Sequence, residues 1–174
     1  MVPSPNRVPE CAVHALLAAG SVWMAGCFLS PLPDTRTPAD FAQALERRCA
    51  SVSDDSSEAM RAPAIVESVE PAYSFVSSAS MDRQAILRGA RVHLRPLPGL
   101  SRESLQRSLE CHQAGVVLGK WHAPPNDPYT LPGEWLEVEA QSEGDGFVIN
   151  VRAHARPQAE LVLDRARRVY AARR

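Results

Sequence analysis

The hydrophobic pattern is clearest from Ser101 to Leu118, where Leu105, Leu109, His112 and Val116 fall at i, i+4, i+7 and i+11. That spacing lays a core-facing stripe along one side of a helix. Ser101 is placed to cap it, Glu103 lies in its first turn, and Gly119 is placed to stop it. Ahead of the helix, Ala90 to Pro96 alternates, Val92 and Leu94 facing one way and Arg91, His93 and Arg95 the other. This is the signature of a half-buried strand, and Pro98-Gly99 turns the chain after it. Alternation returns at Leu136, Val138 and Ala140, breaks at Gly144-Asp145-Gly146, and resumes at Phe147, Ile149 and Val151, predicting a hairpin. Pro157 then opens a last helix with Ala159, Val162, Leu163, Ala166 and Tyr170 on its buried side. Arg165, Arg167 and Arg168 lie near its negative end.

The predicted order over 89–174 is therefore strand-helix-strand-strand-helix, an α+β domain. Two helices covering one face of a small antiparallel sheet bury these stripes economically. That is most of a ferredoxin-like sandwich, and a strand from the Ile65 to Val76 region would complete the sheet. Between the first helix and the hairpin, Lys120 to Gly133 carries four prolines and no periodicity, a long loop with Trp121 and Tyr129 as its anchors.

Upstream the pattern thins. Thr37-Pro38-Ala39-Asp40 reads as a helix start, and Phe41, Leu45 and Cys49 share a face, predicting one short helix over 37–50. Ser51 to Glu58 is polar and acidic, and Pro63 and Pro71 interrupt the β-prone pieces that follow. The division expected is a segment 1–26, a flexible tether 27–88 carrying that helix, and the domain 89–174.

Composition narrows the function classes. The chain has 174 residues and a net charge of −1, so no basic field exists to collect nucleic acid. Lys120 is the only lysine, and the arginines are interleaved with acids instead of forming a phosphate-reading patch.

The first 27 residues read as an export signal: Arg7, then an apolar run from Ala15 to Gly26, too short to span a bilayer. The run ends in Met24-Ala25-Gly26-Cys27, which resembles the lipobox of bacterial lipoproteins. The resemblance implies cleavage before Cys27, lipidation of that cysteine, and a protein of the cell envelope facing the periplasm. Phe28, where an Asp would imply retention, favours the outer membrane. The competing reading of the same segment is an Ala-rich helix of a cytosolic protein. The C-terminal half, GARVHLRPLPGLSRESLQRSLECHQA with its Gly-Asp-Gly-Phe hairpin, is similar to small uncharacterised exported proteins of GC-rich proteobacteria. That group carries a cysteine in the long loop where this chain has Thr130, and it implies no activity.

Two candidate chemistries follow. Cys49 and Cys111 remain in the mature exported chain besides Cys27, and an oxidising compartment favours their pairing in a disulfide. Cys111 and His112, with His122, His93 or His154, form a candidate copper or zinc site. Adjacent helical residues point about 100° apart, however, and the alternative is a core histidine bonded to the following loop. No Gly-x-Ser-x-Gly, HExxH, CxxC or phosphate-cradling glycine loop occurs, so no catalytic set is named. The expected function is a lipid-anchored, non-catalytic envelope protein that binds a partner protein or small ligand. The alternatives are a periplasmic metal-binding protein and a small enzyme using the loop between Gly119 and Gly133.

Overall fold

The computed structural model describes residues 36–52, 62–77, 83–173. The segment 1–26, Cys27 and most of the acidic loop lie outside the described residues. Helix α1 spans Pro38–Cys49 and a 3₁₀ turn spans Pro63–Ile65. Strands β1 (Val66–Ser77) and β2 (Arg83–Leu94) follow, then helix α2 (Arg102–Val117). The hairpin β3 (Glu137–Glu143) and β4 (Gly146–Arg152) leads into helix α3 (Arg156–Ala171).

The strands make one antiparallel sheet in the order β1-β2-β4-β3. The expected α+β sandwich is present, and β2-α2-β3-β4 is a split β-α-β unit with β4 between β2 and β3. The fourth strand comes from before this unit, the Ile65 to Val76 region supplying β1 as the edge. Inward residues of the strands (Val92, Leu94, Ala140, Ile149, Val151) meet Leu105, Leu109, Ala159, Val162 and Leu163 in one core cluster. Burying a Leu or Ile side chain of this kind contributes about 2 kcal/mol before entropy is charged against it.

The helix starts follow their sequence signals. Thr37 and Asp40 form a reciprocal capping box, the Thr37 N–H donating to Asp40 Oδ2 at 2.7 Å. Its ligand-like hydrogen bonds hold the Asp40 carboxyl below its ordinary range. Ser101 forms the same box with Ser104. Glu103, in that first turn, is also held below its ordinary range, mainly by a backbone hydrogen bond.

The division at residue 88/89 is corrected. Residues from Thr35 to Arg174 form one compact unit. The sheet crosses the expected boundary, since β1 and the first half of β2 precede Gly89. Nor is α1 a helix on a tether: Cys49 is bonded to Cys111 of α2, with Cα atoms 5.3 Å apart, and Phe41 stacks on Trp135 at 5.5 Å between centroids. An ion pair between Glu46 and Lys120 adds a second tie. Because α1 covers the flank of α2, burial there extends beyond the expected stripe to Cys111, Gln113, Ala114 and Gly115.

The two sheet edges are protected differently. On β3, the Gln106 side chain of α2 acts as a surrogate strand, Nε2 donating to the Val138 carbonyl at 2.8 Å and Oε1 accepting from the Ala140 N–H at 2.6 Å. On β1, Pro71 lacks an N–H, and Glu67 and Glu70 place charge along the edge. Beyond Gly89 the β1–β2 hairpin leaves β4 behind and continues as a two-stranded arm, where Tyr73 is 53% exposed and Phe75 69% exposed.

Candidate functional site

Two polar constellations are built by this fold, one closed to solvent and one open. The closed one joins α2 to the long loop. His112 Nε2 and Asp127 Oδ2 lie 2.5 Å apart, with side chains 1% and 0% exposed. Asp127 also accepts from the Tyr129 N–H at 2.9 Å through Oδ1 and from the Thr130 hydroxyl at 3.2 Å through Oδ2. From α3, Arg165 Nη1 donates to the carbonyls of Asp127 (3.1 Å) and Thr130 (2.9 Å). The Trp121 ring stacks on His112 at 6.1 Å and fills the space beside Gly115, where an added Cβ would lie 2.4 Å from the indole. Tyr129 is 2% exposed, and burial, with the Asp127 charge as a smaller contribution, raises its phenol far above its ordinary range. The loop is thus a packed element pinned from two helices.

This geometry relocates the expected site residues. Cys111 is in the disulfide and has no thiolate to offer a metal. His112 turns to Asp127, while His122 is exposed in the loop. His93 lies on the open sheet face, 2.8 Å from Glu143 and 3.8 Å from Glu70. His154 follows β4 at the other end. The candidate copper or zinc site at Cys111, His112 and His122 is therefore not assembled, and among the described residues no group of three His, Cys, Asp or Glu side chains is arranged to hold a metal ion. The reason is the divergence of adjacent helical side chains, one toward α1 and the other toward the loop. Thr130 serves Asp127 as a donor.

The open constellation lies at the foot of the arm. Register shifts between Ala72 and Tyr73, leaving Arg88 as the extra residue of a β-bulge on β2. Gly89 makes the bulge feasible: its φ is +149°, and a Cβ there would lie 2.1 Å from the Val151 carbonyl oxygen. The Ala153 N–H donates to the Arg88 carbonyl at 2.7 Å. A bulge of this kind bends a strand and re-aims a side chain. Here the Arg88 guanidinium is turned into a cleft of about 340 Å³, lined also by Tyr73, Ser74, Glu137, Arg152 and His154.

Asp127 and Arg88 were not singled out from sequence, and Arg165 was noted only for its place near the negative end of the last helix. Asp127 had a signal, since Asn126-Asp127-Pro128 is a turn-forming run in which the carboxylate readily takes a downstream N–H. Arg88 had none, because a bulge exists only once strands are paired. No protein-family model, no curated protein and no solved structure matches the chain.

Proposed function

We propose that this chain is a lipid-anchored protein of the bacterial cell envelope with a non-catalytic binding role. The observation that supports the reading most is the Cys49–Cys111 bond, which joins two helices across 62 residues of sequence. Such bonds form and persist in oxidising compartments and are rare where thioredoxin and glutathione keep thiols reduced. The Met24-Ala25-Gly26-Cys27 run agrees with that compartment and names Cys27 as the lipid-bearing residue. The domain would face the periplasm, from the outer membrane by the Phe28 criterion.

The binding role rests on how the polar groups are used. The His112–Asp127 pair is closed to solvent and committed to holding the loop, so it cannot reach a substrate. The open sheet face is a lattice of opposed charges, Arg152 with Glu137 at 2.9 Å and Arg91 with Glu143 at 3.9 Å among them. Exposed pairs of this sort contribute little stability, and mixed signs suit recognition of a small ligand or an envelope protein better than of nucleic acid. The test is metabolic labelling in a bacterial host with a palmitate analogue. Label on the wild-type chain and none on Cys27→Ala is expected; an unlabelled wild-type chain sinks the anchor.

A further inference from the structure

We propose that the cleft at the foot of the arm binds a small organic monocarboxylate, with Arg88 as its counter-ion. Arg88 Nε donates to the Ser74 hydroxyl at 2.9 Å and Nη1 donates to the His154 carbonyl at 3.1 Å. Both acceptors are neutral, and among the described residues no carboxylate lies within ion-pair distance of this guanidinium. A guanidinium has five N–H donors, so donors remain for a ligand after these two bonds. The two bonds also fix its plane. The ordering entropy that a free surface arginine would lose on binding is therefore already spent in folding.

Arg152, across the cleft, is differently placed. Its Nη1 lies 2.9 Å from Glu137 and its Nη2 lies 3.6 Å from Glu139, so its charge is already answered. Arg88 is thus the cation left for an incoming anion. Glu137 and Glu139 share the single Arg152 cation, so the far wall keeps a net negative charge that opposes a second negative charge on the ligand and disfavours phosphate or a dicarboxylate. The half-exposed Tyr73 ring and the Ala153 methyl offer an apolar surface for the body of the ligand. A carboxyl on Arg88 with a compact apolar body against Tyr73 suits the 340 Å³ available.

The assignment deepens the binding role proposed above but does not depend on the membrane address; the labelling experiment and the titration fail separately. Two sources of the same chemistry, a free acid or the C-terminal carboxylate of a peptide, are separated by choice of probe. The full chain is titrated with benzoate, with N-acetylphenylalanine and with neutral benzamide, following the Arg88 Nε–H resonance and, in every variant, the Ala153 backbone amide at the cleft wall. Saturable shifts are expected with one or both acids and none with benzamide, the tighter acid identifying the source. Arg88→Gln should weaken binding by about tenfold, as loss of a charge-assisted hydrogen bond implies. Glu137→Gln should tighten it several-fold, because it removes a negative charge from the wall of the cleft. A resonance unmoved by either acid, or moved equally by benzamide, overturns the proposal, as does undiminished binding in Arg88→Gln. Where Arg88→Gln does not fold, Glu137→Gln decides: tighter binding supports the site, and unchanged or weaker binding overturns it.

Discussion

His112 of helix α2 and Asp127 of the long loop are locked together at 2.5 Å in the protein interior, neither side chain more than 1% exposed. Fifteen residues separate them in sequence. This pair converts a proline-rich connection, which would otherwise be loosely held, into part of the core. Removing one partner leaves the other buried without it. Asp127→Ala is expected to cost about 3 kcal/mol, read as a lowered urea midpoint at unchanged slope. A loss under about 0.5 kcal/mol, the range of ordinary surface changes, would show that the pair does not hold the loop.

The Cys49–Cys111 bond closes a loop of 62 residues, for which the chain-entropy model gives about 4 kcal/mol. The Cys49→Ala, Cys111→Ala double variant should therefore unfold at markedly lower denaturant. Release of α1 should also expose Trp135, which Phe41 covers, and shift tryptophan emission to the red.

Gly115 tests the packing of the same loop. Alanine is normally better than glycine inside a helix by about 1 kcal/mol. Here the added methyl meets the Trp121 ring at 2.4 Å, so the sign should reverse. Gly115→Ala is expected to destabilise and to displace Trp121, seen as changed near-ultraviolet circular dichroism.

Tyr129 predicts an alkaline limit. Its phenol is raised in the folded protein relative to the unfolded chain, where phenols titrate near about 10. The folded state then favours the protonated form, and its stabilising contribution is complete below that value. As pH rises past about 10 the unfolded chain ionises first and stability falls. Tyr129→Phe should flatten this limb of a melting-temperature profile; an identical limb in both proteins would refute the assignment.

The edge of β3 makes a local prediction. Gln106→Ala removes both surrogate-strand bonds while leaving the core untouched. The Ala140 amide should exchange with solvent at least tenfold faster, with little change in global stability.

How much of this was readable in the sequence divides along physical lines. Elements with a clear apolar pattern announced themselves: the Leu105, Leu109, His112 stripe, the β3–β4 hairpin and the Thr37 cap all lie where the pattern puts them, while the burial of Val148 and Asn150 on the other face of β4 comes from its central place in the sheet. The arm did not, because Tyr73 to Ser77 and Arg83 to Leu87 pair only with each other and need no strict alternation. Pro71 further disguised β1, and it is tolerated because β1 is an edge. The pairing of Cys49 with Cys111 was an expectation from cysteine count, and the bond is present in the structure. Arg88 and Gln106 owe their roles to pairing and docking across distant stretches, which local periodicity does not carry.

One measurement tests both the proposed envelope address and the Cys49–Cys111 clamp. The most direct measurement is the intact mass of the protein recovered from a bacterial host, alkylated first without reduction and then after it. The mass expected is that of a chain cleaved before Cys27 and carrying a lipid adduct, with no alkylation before reduction and two sites gained after it. An unprocessed chain whose thiols are alkylated without reduction would contradict both the address and the clamp.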